Sequence, residues 1–538
     1  MPKANKGAAT YVERKKASMY AQHEIWQNRV ARLLVIIVLC VHPLYFNVLG
    51  KIFVGTAGYM RLTWDKFLFF VIYMIIILLI VFVVWISRIS RNPKLLPQDR
   101  LYLVDWAILG FVAVTLISAI FSPFRGEAHV WVGISERYDG AITQLLYVTI
   151  FLIVSRWYKP RERDFIVLGI SAVLVALIGI IQFYGLDIFG LWPYDDKEYG
   201  SAMGYTPYNI FFRSTLGNVN IVSAYVCVAM LLCGFLFIKT KSKWRPLWLA
   251  ASALNFWLME LADADSGRVG LLVTMVLAIP FIIENRKTLG KAMILASSWA
   301  AIYGLQKLLY DVRILQTKTA GSLLIYAALF IVLLAAGLLF VRWGTAKDTD
   351  GNIKWKLGII LIAAVIAAGI IGVEVLGRQD PATGSTNIIY ELREIIHGNI
   401  RDEFATNRIY IWRNALKAYP NNPIIGSGPD TFLYAFPEEA QMFYDEKYQN
   451  AHNEYVQILI CQGIIGLVCY LVFIVGLMIK SIPKAFKNPM LMAVLAAFAG
   501  YCIQAFFNLS IPIVTPMLWV FAGMLANTQV REETQMLQ

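Results

Sequence analysis

The chain has 538 residues, of which 58% are hydrophobic, 14% aromatic and only 15% charged. About a quarter of a soluble globular protein is charged, so this composition excludes that class and indicates a membrane protein. The net charge of +13 does not call for nucleic acid, because the cytoplasmic loops of membrane proteins concentrate Lys and Arg.

Apolar runs long enough to cross a bilayer recur from one end of the chain to the other. A basic N-terminal tail without a convincing small-residue cleavage site precedes the first run, which predicts an uncleaved anchor. We therefore predict an all-α polytopic membrane protein with about 12 to 14 transmembrane helices. In chain order the predicted spans are 33–53, 67–87, 101–121, 140–155, 165–184, 216–238, 246–262, 268–284, 292–309, 321–341, 356–377, 454–479, 490–507 and 510–527.

The basic residues predict the orientation of these spans. Most of the 48 lysine and arginine residues lie in the N-terminal tail and in every second connection. This asymmetry predicts that both termini are cytoplasmic and that the large polar loop is outside. The predicted organisation is a basic tail (1–32), a transmembrane bundle (33–377), an extracytoplasmic catalytic loop (378–452), C-terminal transmembrane helices (453–527) and a cytoplasmic tail (528–538).

The loop at 378–452 has the pattern of a folded cap. Apolar residues recur at three- and four-residue spacing within the stretches 387–397 and 407–419, which predicts two helices. Prolines and glycines between positions 420 and 429 then end the pattern. Its mixed polarity and many aromatic residues argue against disorder.

The sequence offers little for a disulfide framework or a metal site. All six cysteines lie in apolar runs, where they suit packing. Two acidic pairs, Asp195 with Asp196 and Asp263 with Asp265, could hold Mg²⁺ or Mn²⁺. Because such pairs are common by chance, we expect no metal and no cofactor.

Two arginines at membrane edges are candidates for anion binding. Arg213 lies just before a predicted span, and Arg268 begins one, both on the predicted outer side. A guanidinium keeps its charge and offers paired donors, so two of them could clamp a phosphate or diphosphate. The alternative is snorkelling or pairing with Asp263 or Asp265.

His452 is the candidate general base. It closes the large loop in Ala451-His452-Asn453-Glu454, where the chain re-enters the membrane. Histidine titrates near neutrality and is the most frequent general base in enzymes. Asn453 or Glu454 could orient the ring. The alternative is a purely structural histidine.

Four segments together resemble the O-antigen ligase family, which groups ligases with related polymerases and O-oligosaccharyltransferases. The resemblance covers roughly residues 100–530, and its most specific part is an Arg-Trp-Pro-Gly-x-Gly pattern followed by Ala-His-Asn. The four segments are Trp131 to Gly140, Arg213 to Asn220, Ser266 to Arg268, and the run "NRIYIWRNALKAYPNNPIIGSGPDTF" followed by "AHNEYVQILICQGIIGLVCYL".

The resemblance implies a GT-C-like, metal-independent, inverting glycosyltransferase. Its donor would be a glycan on undecaprenyl diphosphate, and its acceptor a hydroxyl of a lipid, glycan or protein outside the cytoplasmic membrane. By family position, Arg213 and Arg268 would contact the donor diphosphate and His452 would be the base. Arg408, Arg137 and Asn453 would assist in binding the substrates. The chain departs from the family in having more predicted spans than the usual twelve or so.

Ligation, polymerisation and transfer to protein share these motifs, so the sequence does not separate them. A transporter or flippase of lipid-linked sugars is the alternative from another class, since the same arginines could cradle a diphosphate during translocation. Such a protein should have charged residues along a central path. The main charges within the predicted spans are Asp105, Glu260 and Glu374, and all three lie near span ends.

Overall fold

A computed structural model describes residues 22–46, 62–91, 101–127, 129–135, 137–184, 214–314, 320–343, 351–378, 388–443 and 446–536. Helices dominate these ranges, and one antiparallel pair of two-residue strands, β1 (Met442–Phe443) and β2 (Glu446–Lys447), accompanies them. The longer helices are α1 (Gln22–Leu44), α2 (Leu62–Arg91), α3 (Leu103–Phe121), α4 (Ala141–Trp157), α5 (Glu162–Phe183), α6 (Val219–Lys239), α7 (Arg245–Ala262), α8 (Asp265–Leu277), α9 (Arg286–Ile314), α10 (Ala320–Trp343), α11 (Gly351–Leu376), α12 (Ile388–Ile396), α13 (Arg408–Ala418), α14 (Glu454–Ala485), α15 (Pro489–Gln504) and α16 (Thr515–Met536).

The predicted all-helical membrane fold is confirmed. Each of the fourteen predicted spans coincides with a helix, although the end of the first, from residue 47 to 53, lies outside the described residues. In the described ranges, ten helices are long and apolar enough to cross a membrane. The helices α4, α7, α8 and α16 coincide with predicted spans but are not among those ten.

The helices divide into a buried centre and a lipid-facing periphery. The central helix α6 packs against α7, α8 and α15, and it is apolar on all sides, as a helix surrounded by others must be. By contrast, α10 and α11 expose large apolar side chains, for example Leu324 at 73% and Ile371 at 63%. Apolar surface of this extent is stable only against lipid or a partner.

The membrane helix α14 is interrupted at Gly463. That residue has φ 68° and ψ −173°, so the helical hydrogen-bond ladder stops there. The segment from Pro423 to Gly428 fills the gap: Ser427 N donates to Ile460 O at 3.0 Å and Gly428 N to Cys461 O at 2.9 Å. Ile464 N in turn donates to Pro423 O at 2.9 Å. Backbone groups freed inside a membrane protein must find such partners.

Glycine is required on both sides of this junction. A Cβ atom on Gly463 would lie 2.3 Å from the carbonyl oxygen of Ile424, and one on Gly426 would lie 2.3 Å from the carbonyl carbon of Cys461. Both glycines also have positive φ, at 68° and 75°. The two glycine motifs of the sequence therefore serve one purpose, which is to dock the loop into the broken helix.

The two helices predicted in the large loop are confirmed as α12 and α13. The loop has a small apolar core of its own that continues into α14. This continuity positions the end of the loop, where His452 lies, directly over the helical bundle. The buried residues of this core are Ile411, Ala415, Phe432, Phe436, Ala440, Ala451, Ile460 and Cys461.

Candidate functional site

A buried ion pair joins three distant segments beside the loop. The guanidinium of Arg137 lies 2.9 Å from the carboxylate of Asp430, and both side chains are almost fully buried. Ile134 N donates to the same carboxylate at 2.8 Å, and Arg137 donates to Gln449 O at 2.9 Å. Burial raises the pKa of Asp430, and Arg137 opposes that shift. The pair thus ties the α3–α4 connection to the loop and to the residues that precede His452.

The backbone around His452 is held by several hydrogen bonds. Trp412 on α13 donates to Ala451 O at 2.8 Å, and Ala451 N donates to the Gln457 side chain at 3.0 Å. His452 N donates to Asn450 Oδ1 at 2.9 Å. Packing and hydrogen bonds of this kind hold a reactive side chain in one geometry.

Asn453 is the N-cap of α14. Its Oδ1 accepts from Tyr455 N at 3.0 Å and from Val456 N at 3.1 Å, which satisfies two of the free donors at the helix start. Its buried Nδ2 has no hydrogen-bond partner among the described residues. The predicted role of Asn453 in substrate binding can therefore rest only on Nδ2.

The surroundings of His452 favour the neutral form of its side chain, which can accept a proton. Its backbone has φ 46°, a left-handed conformation that is uncommon for histidine and that recurs at functional sites. Among the described residues, no group hydrogen-bonds to its ring. Burial, together with the positive charges of Arg408 and Arg137, lowers the pKa of His452 to about 4. The imidazole is therefore neutral at neutral pH.

In the described structure, neither Asn453 nor Glu454, the neighbours proposed to orient the ring, hydrogen-bonds to it. The Glu454 carboxylate turns into the bundle, where it accepts from Tyr470 Oη at 2.5 Å and from Tyr501 Oη at 3.4 Å. It lines a buried polar cavity of about 30 Å³, large enough for one or two water molecules. The described hydrogen bonds therefore hold the backbone at Ala451 and His452 in place.

Arg408 is a cation whose charge acts on His452 and that forms no ion pair within the described ranges. Its Nη1 donates to Ala405 O at 2.9 Å, and its buried Nε has no hydrogen-bond partner in that part of the chain. Within the described part of the chain, no carboxylate forms an ion pair with Arg408, although Asp265 is near enough to act on its charge. A half-buried guanidinium with free donors is suited to binding an anion.

Arg268 is surrounded by carboxylates. It pairs with Asp263 at 2.9 Å, Asp265 at 3.2 Å and Glu260 at 3.3 Å. The structure therefore contains the pairing that the sequence offered as the alternative to phosphate binding. Because Asp265 acts on both Arg268 and Arg408, it links the two arginines into one region that also includes His452.

The remaining candidates are partly outside the described residues. Arg213, Asp195 and Asp196 fall in the part of the chain that is not described. Asp263 and Asp265 contact Arg268 instead of forming a pocket of oxygen ligands. Within the described ranges, no group of three or more His, Cys, Asp or Glu side chains is arranged to hold a metal ion.

Asp430 is a site residue that sequence reasoning missed. It directly follows Gly426-Ser427-Gly428-Pro429, a stretch that the sequence marks only as a turn. Asp430 is among the residues with positive φ, at 57°, and its carboxylate faces Arg137. The one sequence feature that could have identified Asp430 is its position as an acidic residue within the run that resembles the O-antigen ligase family.

Separate replacement of either member of the Arg137–Asp430 pair should destabilise the protein strongly. Asp430→Asn and Arg137→Gln each leave one charge buried without its partner, which costs roughly 3–5 kcal/mol. The double variant should lose less free energy of unfolding than the sum of the losses in the two single variants. Thermal unfolding of the four proteins in detergent measures this coupling; strictly additive losses would show that the ion pair does not stabilise the fold.

Comparison with known protein families gives a match to part of the chain. The Wzy_C family model, described as O-antigen ligase, matches residues 250–471. This range includes Arg268, Arg408, His452 and Asn453, whereas Arg137 and Arg213 precede it. No curated protein matches the chain. Residues 250–471 of this multi-pass membrane protein are thus similar to the O-antigen ligase family.

Proposed function

We propose that the protein transfers a glycan from an undecaprenyl diphosphate-linked donor to an acceptor hydroxyl outside the cytoplasmic membrane. Its family indicates a membrane glycosyltransferase of the ligase or polymerase type. The observation that most supports the finer proposal is a neutral imidazole, His452, within range of the positive charge of Arg408. The guanidinium of Arg408 forms no ion pair among the described residues. One group can take a proton while the other stabilises negative charge.

The proposed chemistry is a direct displacement at the anomeric carbon. The acceptor oxygen attacks that carbon while its proton passes to the His452 ring. The bond from the carbon to the diphosphate oxygen breaks, and Arg408 and Arg268 stabilise the charge that develops on the leaving group. A diphosphate leaves readily, so no strong general acid is needed. A single displacement inverts the configuration of the anomeric carbon.

The charge bias of the connections supports an outer location for this reaction. His452 lies at the start of α14 and Arg268 at the start of α8, two helix ends that the alternation of basic connections assigns to the outer side. The same bias assigns both termini to the cytoplasm. Donor and acceptor would therefore meet at the outer surface of the cytoplasmic membrane.

We expect transfer to continue in excess chelator. The proposed charge stabilisation comes from arginines, so removal of divalent ions should leave the turnover number within about twofold of its untreated value. The measurement is product formation with EDTA present, and a control enzyme of known magnesium dependence shows that chelation was complete. A full loss of activity restored by Mg²⁺ or Mn²⁺ would instead implicate the acidic pairs, among them Asp263 and Asp265.

Reconstituted transfer tests the proposed function. Purified protein is supplied with an undecaprenyl diphosphate-linked glycan and with lipid, glycan or protein acceptors, beside Arg268→Ala and His452→Ala. Product formed by wild type alone supports the proposal, and the size of the product separates one-step ligation from polymerisation. If labelled donor crosses a vesicle membrane and no acceptor yields product, the transporter alternative is correct.

A further inference from the structure

A polar cavity of about 670 Å³ lies next to Arg268. It is formed where the ends of α5, α7 and α9 meet the starts of α6 and α8. Its volume is within the range typical of small-molecule sites. Its charged lining consists of two cations, Arg268 on α8 and Lys307 on α9, and of the carboxylates of Glu260 and Asp263 near the end of α7.

Lys307 contributes a cation that the sequence did not single out. Its Nζ lies 5.4 Å from the centroid of the Tyr303 ring, and its charge acts on the Glu260 carboxylate. No carboxylate in the described residues lies within ion-pair distance of Lys307. Its ammonium donors are thus open to an anion that enters the cavity.

The cavity also has apolar lining residues. Phe183, Val219 and Leu261 line it together with the two cations. A ligand that fits such a surface combines a charged head with a hydrocarbon chain. A prenyl diphosphate has both, and its chain can lie between helices while its head meets the cations.

We propose that Lys307, together with Arg268, binds the diphosphate of a prenyl diphosphate-linked donor in this cavity. The inference rests on the proposed function and adds a binding residue on α9 to it. Two cations that line one cavity from different helices can each contact one phosphate of a diphosphate, whereas a monophosphate has only one phosphate to offer. Lys307 therefore distinguishes diphosphate from monophosphate.

The carboxylates on Arg268 do not prevent this binding. The side chains of Asp263 and Asp265 are 83% and 61% exposed, and exposed ion pairs are weak. A diphosphate offers Arg268 paired oxygens and a higher charge, so it can replace both aspartates. Glu260, whose side chain is 13% exposed, stays as the buried countercharge.

The test is direct binding of undecaprenyl diphosphate and undecaprenyl monophosphate, both without glycan, to the full chain in detergent. Lys307→Ala should weaken diphosphate binding by roughly ten- to a hundredfold, the effect of losing one charged hydrogen-bond donor. Monophosphate binding should change by less than about threefold. Lys307→Arg should retain most of the affinity, because it keeps a positive charge at the position.

Control variants separate this inference from the proposed function. Lys480→Ala removes one lysine charge outside the cavity and should bind as wild type does, whereas Arg268→Ala should bind weakly. If Arg268→Ala is impaired and Lys307→Ala binds like wild type, the role of Lys307 is refuted and the proposed function stands. If wild type binds neither lipid, the proposed donor is wrong, and the inference about Lys307 falls with it.

Discussion

His452→Ala should lower the turnover number for glycan transfer by roughly a hundred- to ten-thousandfold, the contribution typical of a general base. The neutral imidazole of His452 is the group proposed to take the acceptor proton, and burial together with Arg408 and Arg137 lowers its pKa to about 4. The Michaelis constant for the donor should change much less, because the arginines that bind the diphosphate remain. Initial rates across donor concentrations measure both constants.

Two further variants test whether the loss of activity in His452→Ala comes from a folding defect. His452→Asn keeps a residue that tolerates the left-handed backbone at this position but removes the base, so it should be equally inactive and normally folded. His397→Ala removes a loop histidine that pairs with Glu374 at 2.7 Å and should retain activity. Turnover near the wild-type value in both His452 variants would refute the role as base.

The lowered pKa of His452 also predicts a pH dependence. Transfer requires the neutral ring, so activity should be constant at neutral pH and fall through about pH 4. Since folding lowers the pKa from 6.5, protonation favours unfolding, and stability should decrease as the pH falls from about 6.5 to 4. In Arg408→Ala, loss of the neighbouring charge should move the acid limb of kcat/KM to higher pH.

Gly463→Ala should destabilise the protein by roughly 3 kcal/mol or more, from a strained left-handed backbone together with a steric clash. The added Cβ would lie 2.3 Å from Ile424 O, a distance that forces the docked segment away from the helix. The Pro423–Gly428 segment would then lose its hydrogen bonds to Ile460 and Cys461. The expected result is a lower apparent melting temperature in detergent and a smaller folded yield.

Gly372→Ala is the matched control for this variant. Gly372 lies in α11, where an added Cβ would meet no other atom within 4 Å. Alanine is favoured over glycine inside a helix, so this change should be neutral or slightly stabilising. If Gly463→Ala has the same melting temperature as wild type and Gly372→Ala, then α14 continues unbroken and the loop is not docked into it.

The sequence alone was enough to predict the membrane class, the positions of the helices and the candidate base. Each span must place about twenty apolar residues in the membrane, so the free energy of forming it depends on local composition. All fourteen predicted runs coincide with helices. The order of the glycine, proline and histidine motifs likewise pointed to His452. These properties lie within short stretches of chain.

Other features depend on contacts between residues far apart in the sequence. Three features each join separate segments of the chain. They are the ion pair of Arg137 with Asp430, the docking of Pro423–Gly428 into the break at Gly463, and the cavity that Lys307 and Arg268 both line. A local sequence pattern can mark a charge or a glycine as unusual. It does not show which distant residue that charge or glycine will contact. Burial and charge at a site depend on three-dimensional packing, which is why Asp430 and Lys307 emerged only from the folded structure.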